Sequence, residues 1–256
     1  MFQILLTPAA GKRLIAKAVC VRNDIQDALK NHTLVIVAGS TNGYVAEEIL
    51  KVTGRNTEFN RGRFFRGVTL PPTNKTTDTG RLPDESGFPG DVVMVKGEWR
   101  KGTTVFDVVD SLRSGDVIVK GANCIDSNHK RAGILIGDPQ GGTIAAILRA
   151  VIGKRTGLVI PAGLEKRVYG DLDAITKMLN NPFSTGPRMM PVTGDLVTEI
   201  EAVKLLFGVN ATLVAAGGVC GAEGAVWIAV DGEPDKLDVA KKALSEIKKE
   251  EPFQIV

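Results

Sequence analysis

Apolar residues fall along this chain in two alternating rhythms. The run Leu34-Val35-Ile36-Val37-Ala38 has no polar interruption, as a strand must look when both faces of its sheet are covered. Similar runs lie within 91–97, 116–120, 133–137 and 157–161. Between them the spacing lengthens to the helical period, at 44–50, 105–112 and 144–152, so strand and helix alternate. Ahead of the first strand, Thr7 before Pro8 reads as an N-cap with proline in the first helical position. Leu14, Ile15, Ala18 and Val19 then share one face of a helix over 8–19, and a short second helix covers 24–30. Past Glu165 the pattern becomes helix (171–179), a loop with Pro182, Pro187 and Pro191, helix (195–207), strand (211–216), strand (225–230) and helix (234–249).

These patterns predict an α/β fold: a Rossmann-like, doubly wound, mostly parallel sheet over 1–168, with a smaller α+β element over 169–256 packed on it. Residues 55–90 interrupt the rhythm and read as an excursion from the core. There Arg55, Arg61, Arg63 and Arg66 mingle with Phe59, Phe64 and Phe65. Such a mixture can serve nucleic acid, but 32 Lys and Arg against 29 Asp and Glu leave a net charge of only +3 over 256 residues. Nucleic acid is therefore not an expected partner. The phenylalanines are expected to pack on the sheet or on another subunit, with the arginines reaching an anionic ligand.

Cys20, Cys124 and Cys220 are far apart, and His32 and His129 are the two histidines, so neither a structural zinc site nor a disulfide framework is expected. The start, Met1-Phe2-Gln3-Ile4-Leu5-Leu6, lacks a basic residue before its short apolar run and falls far below the length of a membrane span. The expectation is a cytoplasmic protein without membrane contact.

The 29 glycines bear on function where they follow strands. Gly39-Ser40-Thr41-Asn42-Gly43 stands between an apolar strand and a helix, where free backbone N–H groups and hydroxyls make an anion cradle. It lacks the ending of a Walker A loop and the spacing of a dinucleotide fingerprint. Asp138-Pro139-Gln140-Gly141-Gly142-Thr143 repeats the situation at another strand end. Gly121, Asn123 and Asp126 follow a third strand, where an acid can act as general acid or base or cap a turn. The glycine-rich 217–224 leads into a strand, so it lacks the helix N-terminus that phosphate binding uses. It reads as a bend, with Glu223 able to close over a site. His129 reads as a surface residue.

In their order, Gly39-Ser40-Thr41, Gly121-Ala122-Asn123-Cys124-Ile125, Gly141-Gly142-Thr143, and Val159-Ile160-Pro161-Ala162 followed by Lys166 resemble the sugar-phosphate isomerase and CoA-transferase-like superfamily. The middle segment is most similar to methylthioribose-1-phosphate isomerase and the initiation factor 2B regulatory subunits. The resemblance spans 34–54 and 115–166. It departs from the family pattern at Asn123, where those isomerases carry an acid, and at Pro139-Gln140, where they carry Asn-Lys. Cys124 does not match their catalytic cysteine, nor Glu165 the nucleophilic glutamate of CoA transfer. The resemblance implies a homo-oligomer.

The expected function is binding of a phosphorylated sugar or other small anionic metabolite, with isomerisation by proton transfer and no cofactor. Gly39, Ser40, Thr41, Asn42, Gly43, Gly121, Asn123, Gly141, Gly142 and Thr143 would hold the anion. Asp126 or Asp138 would move protons, and Lys166 would stabilise developing negative charge. The alternative is a non-catalytic binding or regulatory protein of the same fold, which Asn123 in place of an acid favours.

Overall fold

The computed structural model describes residues 1–255 apart from 56, 57, 68, 72 and 79. Those five positions belong to the 55–90 excursion and, like residue 256, lie outside the described residues.

The chain opens with β1 (Phe2–Leu6), which the sequence pattern had not marked, then α1 (Pro8–Cys20) and α2 (Asn23–Asn31). The Thr7 side chain accepts from Ala10 N–H, and Pro8 occupies the first turn as expected. Next come β2 (Thr33–Ile36), α3 (Ser40–Val52), β3 (Val92–Val95), β4 (Glu98–Trp99), α4 (Val105–Val108) and β5 (Val117–Val119). The helix expected over 105–112 is thus a single short turn, closed by reciprocal bonds between Thr104 and Asp107. The middle of the chain supplies β6 (Cys124–Asp126), β7 (Arg131–Ile136), α5 (Gly142–Lys154) and β8 (Gly157–Pro161). It is completed by α6 (Leu172–Leu179), β9 (Arg188–Val192), β10 (Asp195–Val197), α7 (Glu199–Phe207), β11 (Asn210–Ala216), β12 (Val226–Asp231) and α8 (Pro234–Ile247).

Among the described residues, the largest sheet has the order β10-β8-β5-β2-β3-β4. Its β10, β8, β5 and β2 run parallel, and β3 and β4 add an antiparallel edge. The molecule is therefore α/β with a mostly parallel sheet. Leu34, Val35, Ile36, Ile118 and Val119 are fully buried at its centre, and each such side chain stabilises the fold by about 1.5–3 kcal/mol.

Four expectations are corrected here. The 91–97 strand pairs antiparallel with β2. The 133–137 strand does not join the parallel sheet: β7 lies antiparallel between β6 and β9 in a separate three-stranded sheet. The proline-bearing loop contains β9, where Pro191 sits opposite Gly133. Proline is tolerated there because β9 is an edge strand. Finally, the helix expected from 195 starts at Glu199, because Asp195–Val197 forms β10 beside β8 and Thr198 and Glu201 make a capping box. A third sheet, β1-β12-β11, joins the two ends of the chain.

The aromatic excursion packs inward. Phe64 and Phe65 are buried, and Phe59 meets Phe64 at 5.1 Å and Trp99 at 6.4 Å between ring centroids. Arg61 lies 3.9 Å above the Tyr44 ring and pairs with Glu47 and Glu250, and Arg66 pairs with Asp91 at 2.8 Å. Arg61 and Arg66 are thus both paired with acids of the same chain. No helix among the described residues is long and apolar enough to cross a membrane.

Candidate anion-binding site

Because β2, β5 and β8 are parallel neighbours, they release the chain at one edge of the sheet, where open α/β sheets take their ligands. β2 runs into Gly39 and the first turn of α3, β5 into Lys120 and Gly121, and β8 towards Lys166. Lys120 N–H donates to Val159 O and Val37 N–H to Val119 O, both at 3.0 Å, so the three exits are held side by side. A cleft of about 1110 Å³ opens there.

Gly39, Ser40, Thr41 and Asn42 line it from β2, Gly121 and Asn123 from β5, and Asp138, Gly141, Gly142 and Thr143 from the start of α5, with Lys166 beside them. The three strand-end segments singled out in the sequence thus face one space. Two predicted residues do not. Gly43 donates to Gly39 O at 2.8 Å, and a Cβ there would come within 2.8 Å of Arg61 Cγ; its bareness admits Arg61, not a ligand. Asp126 is not among the lining residues. Its carboxylate accepts from the Asn128 and His129 N–H groups and lies 2.7 Å from His129 Nδ1, an arrangement that lowers its pKa chiefly through the His129 side chain. Asp126 is the turn-capping aspartate.

Other residues singled out in the sequence also make local bonds. Asn123 Oδ1 accepts from Leu135 N–H at 3.0 Å, fixing β7 beside the strand exit. Glu223 accepts from Gly221 N–H within the 217–224 bend and does not reach the cleft lining. Cys124 is buried, its Sγ 3.9 Å from Met189 Sδ.

The start of α3 is chemically open. Gly39 offers no side-chain cap, so the first-turn N–H groups lack intrahelical partners. The buried Thr41 Oγ1 and Asn42 Oδ1 also lack a partner, while Asn42 Nδ2 donates to Val37 O and Val119 O. Gly141, in the left-handed region at φ 85°, turns the chain into α5, again without a side-chain cap. Two helix N-termini therefore border one cleft, each with the partial positive charge of its dipole.

The sequence reading missed most of the charge. Lys12 and Lys120 line the cleft with Lys166, and none of the three has an ion pair among the described residues. Lys166 Nζ donates to Ala122 O at 2.7 Å and Lys120 Nζ to Gly121 O at 3.2 Å. Burial lowers the pKa of Lys12 and of Lys166, partly opposed by Glu165. Lys120 falls to about 8 through burial, then through Lys166 and Arg66, with Asp91 opposing. Lys120 could have been found by the reasoning that found Asn123, since it directly follows a strand. Lys12 carries no such local signal, sitting in a helix far away in sequence.

Behind these lysines, Glu199 is fully buried and accepts from Leu164 N–H at 2.9 Å. Burial and then Glu165 raise its pKa to about 8. A Cβ on Gly11 would fall 2.3 Å from Glu199 Oε1, so glycine there makes room for the acid. No group of three or more His, Cys, Asp or Glu among the described residues could hold a metal ion.

Comparison with protein-family models, curated proteins and solved structures finds no match to this chain. The chemistry of the cleft rests on its own residues: donors for an anion, lysines whose pKa values burial lowers, and the carboxylates of Asp78 and of Asp138 at the mouth of α5.

Proposed function

We propose that this cleft binds a phosphorylated sugar or a related small anionic metabolite. The observation that carries the reading is that Lys12, Lys120 and Lys166, none with an ion-pair partner among the described residues, line one cleft with the open N-terminus of α3. A phosphate carries about −1.5 to −2 charges near neutral pH, and it suits both the lysines and the backbone donors. We read the sheet as a Rossmann-like, doubly wound arrangement of the sugar-phosphate isomerase and CoA-transferase-like kind. The chain leaves β2 first towards β3 and later returns to its other side as β5, which gives β2 the character of a switch point.

Proton-transfer isomerisation is the reaction proposed for the bound sugar. Asp138 moves the proton and Lys166 stabilises the negative charge that develops on oxygen. Calorimetry with ribose 5-phosphate, inorganic phosphate and ribose tests binding. The first two are expected to bind and ribose is not, and Lys12→Met with Lys166→Met weakens both phosphates at least tenfold. Equal behaviour of ribose 5-phosphate and ribose would sink the reading. Uptake of solvent deuterium into the bound sugar phosphate, lost in Asp138→Asn, tests the isomerisation. The non-catalytic alternative is favoured by Asn123, an amide held by Leu135 N–H; tight binding without deuterium uptake selects it.

A further inference from the structure

The residue at the centre of the cleft edge is Lys120. It directly follows β5, the strand between β2 and β8, so it stands between the open turn of α3 on one side and Lys166 on the other. Among the described residues its ammonium group makes no ion pair with a carboxylate. Asp91, the acid that acts on it, is fully buried and engaged on both oxygens: Oδ1 accepts from Ala38 N–H and Arg66, and Oδ2 from Val105 N–H. Asp78 and Asp138 line the same cleft, yet neither makes an ion pair with Lys120 among the described residues, and Asp138 Oδ1 accepts from Gln140 N–H. With Lys166 and Arg66 as its cationic neighbours, Lys120 has what makes a lysine give up its proton more readily than a free one: partial burial, like charge close by and no ion-pair partner among the described residues.

We infer that Lys120 is a covalent nucleophile, forming an imine with the carbonyl carbon of a phosphorylated aldehyde or ketone whose phosphate sits at the N-terminus of α3. The inference rests on the anion-binding reading given above and adds to it the carbonyl and the covalent step. The lone pair of the neutral Lys120 Nζ attacks the carbonyl carbon. As the C–N bond forms, the C=O π pair moves to oxygen, which takes a proton from the Lys166 ammonium. Nitrogen then returns a proton to Lys166, and Lys166 gives it to the hydroxyl group, which leaves as water. The products are the protonated imine on Lys120, one water and a neutral Lys166 that regains its proton from solvent. The cationic imine draws electrons from the adjacent carbon, easing loss of a proton there or cleavage of the bond beyond it.

Pyridoxal 5′-phosphate, an aldehyde and a phosphate in one molecule, is the probe, with pyridoxal as its phosphate-free counterpart. The full-length protein is treated with each at less than one equivalent, reduced with borohydride and mapped by peptide mass spectrometry. The expected result is labelling of Lys120 by pyridoxal 5′-phosphate at least tenfold above the exposed Lys241 and Lys242 of α8, suppressed by inorganic phosphate. Lys120→Arg, which keeps the charge, should abolish that label, while calorimetry of the wild-type protein with inorganic phosphate reports on the anion site separately. Labelling spread evenly over surface lysines, or concentrated on Lys166, overturns the assignment to Lys120 while phosphate binding by calorimetry still supports the anion site. Labelling of Lys120 equally by both aldehydes, without protection by phosphate, overturns the anion site and leaves the nucleophile standing.

Discussion

Asn42 Nδ2 donates to Val119 O at 3.0 Å, tying the first turn of α3 to the last residue of β5. The same amide also donates to Val37 O at 2.7 Å. One buried side chain thus fixes the spacing between the two strand exits on which the cleft is built. Asn42→Ala is expected to lower stability by about 1–3 kcal/mol, read from the midpoint of urea unfolding. Asn42→Asp should cost more, because a carboxylate would face two carbonyl oxygens.

Asp91 performs a similar duty on the other side of β2. Its two oxygens satisfy Ala38 N–H, Val105 N–H and Arg66. Asp91→Ala would leave these donors unpaired and the buried guanidinium uncompensated, for which about 3–5 kcal/mol is the expected loss. Urea unfolding measures it. An unchanged midpoint would show that the pair contributes nothing.

Glu199 gives the fold a pH signature. Its folded pKa is raised to about 8 from the ordinary glutamate value of 4.5, so between those values the folded state holds a proton that the unfolded chain has released. Its contribution to stability is fully present below about 4.5 and is lost as pH rises through about 8. Melting temperature should therefore fall from pH 5 to pH 8 more steeply in the wild type than in Glu199→Gln, which cannot ionise. Parallel curves for the two proteins would contradict the assignment.

The three thiols should separate by reactivity. Cys20 and Cys124 are buried and Cys220 is exposed. Burial raises the Cys20 pKa to about 11 and raises that of Cys124 as well, and the thiolate is the reactive form. Iodoacetamide at pH 8 is expected to modify Cys220 in the folded protein and all three cysteines in denaturant. Early labelling of Cys124 would mean that the β6 region opens readily.

Much of this architecture can be read locally. An apolar run such as 34–38 or 157–161 announces a buried strand, and Thr7-Pro8 announces the start of a helix, because the causes lie within a few residues. β10 escaped notice because three residues are too few to show a period, and Pro191 concealed β9 because proline is excluded only from the interior of a sheet. β1 is a short apolar run that shows no strand period of its own. The glycine and hydroxyl residues of the cradle were visible as strand-end chemistry, whereas Lys12 reaches the same cleft from a helix that nothing nearby in the sequence connects to it.

The sequence alone determined where most of the core strands and helices lie and that three of the strand ends are chemically unusual. Tertiary structure decided their partners and directions: β3 antiparallel to β2, β7 in a different sheet, β10 beside β8. It also separated Asp126, turned to His129, from Asp138 in the cleft, and gathered Lys12, Lys120 and Lys166, none of which makes an ion pair among the described residues. The physical reason is range. Backbone propensity and capping act over a few residues, while burial, strand pairing and the electrostatics that lower a lysine's pKa depend on groups brought together from distant parts of the chain.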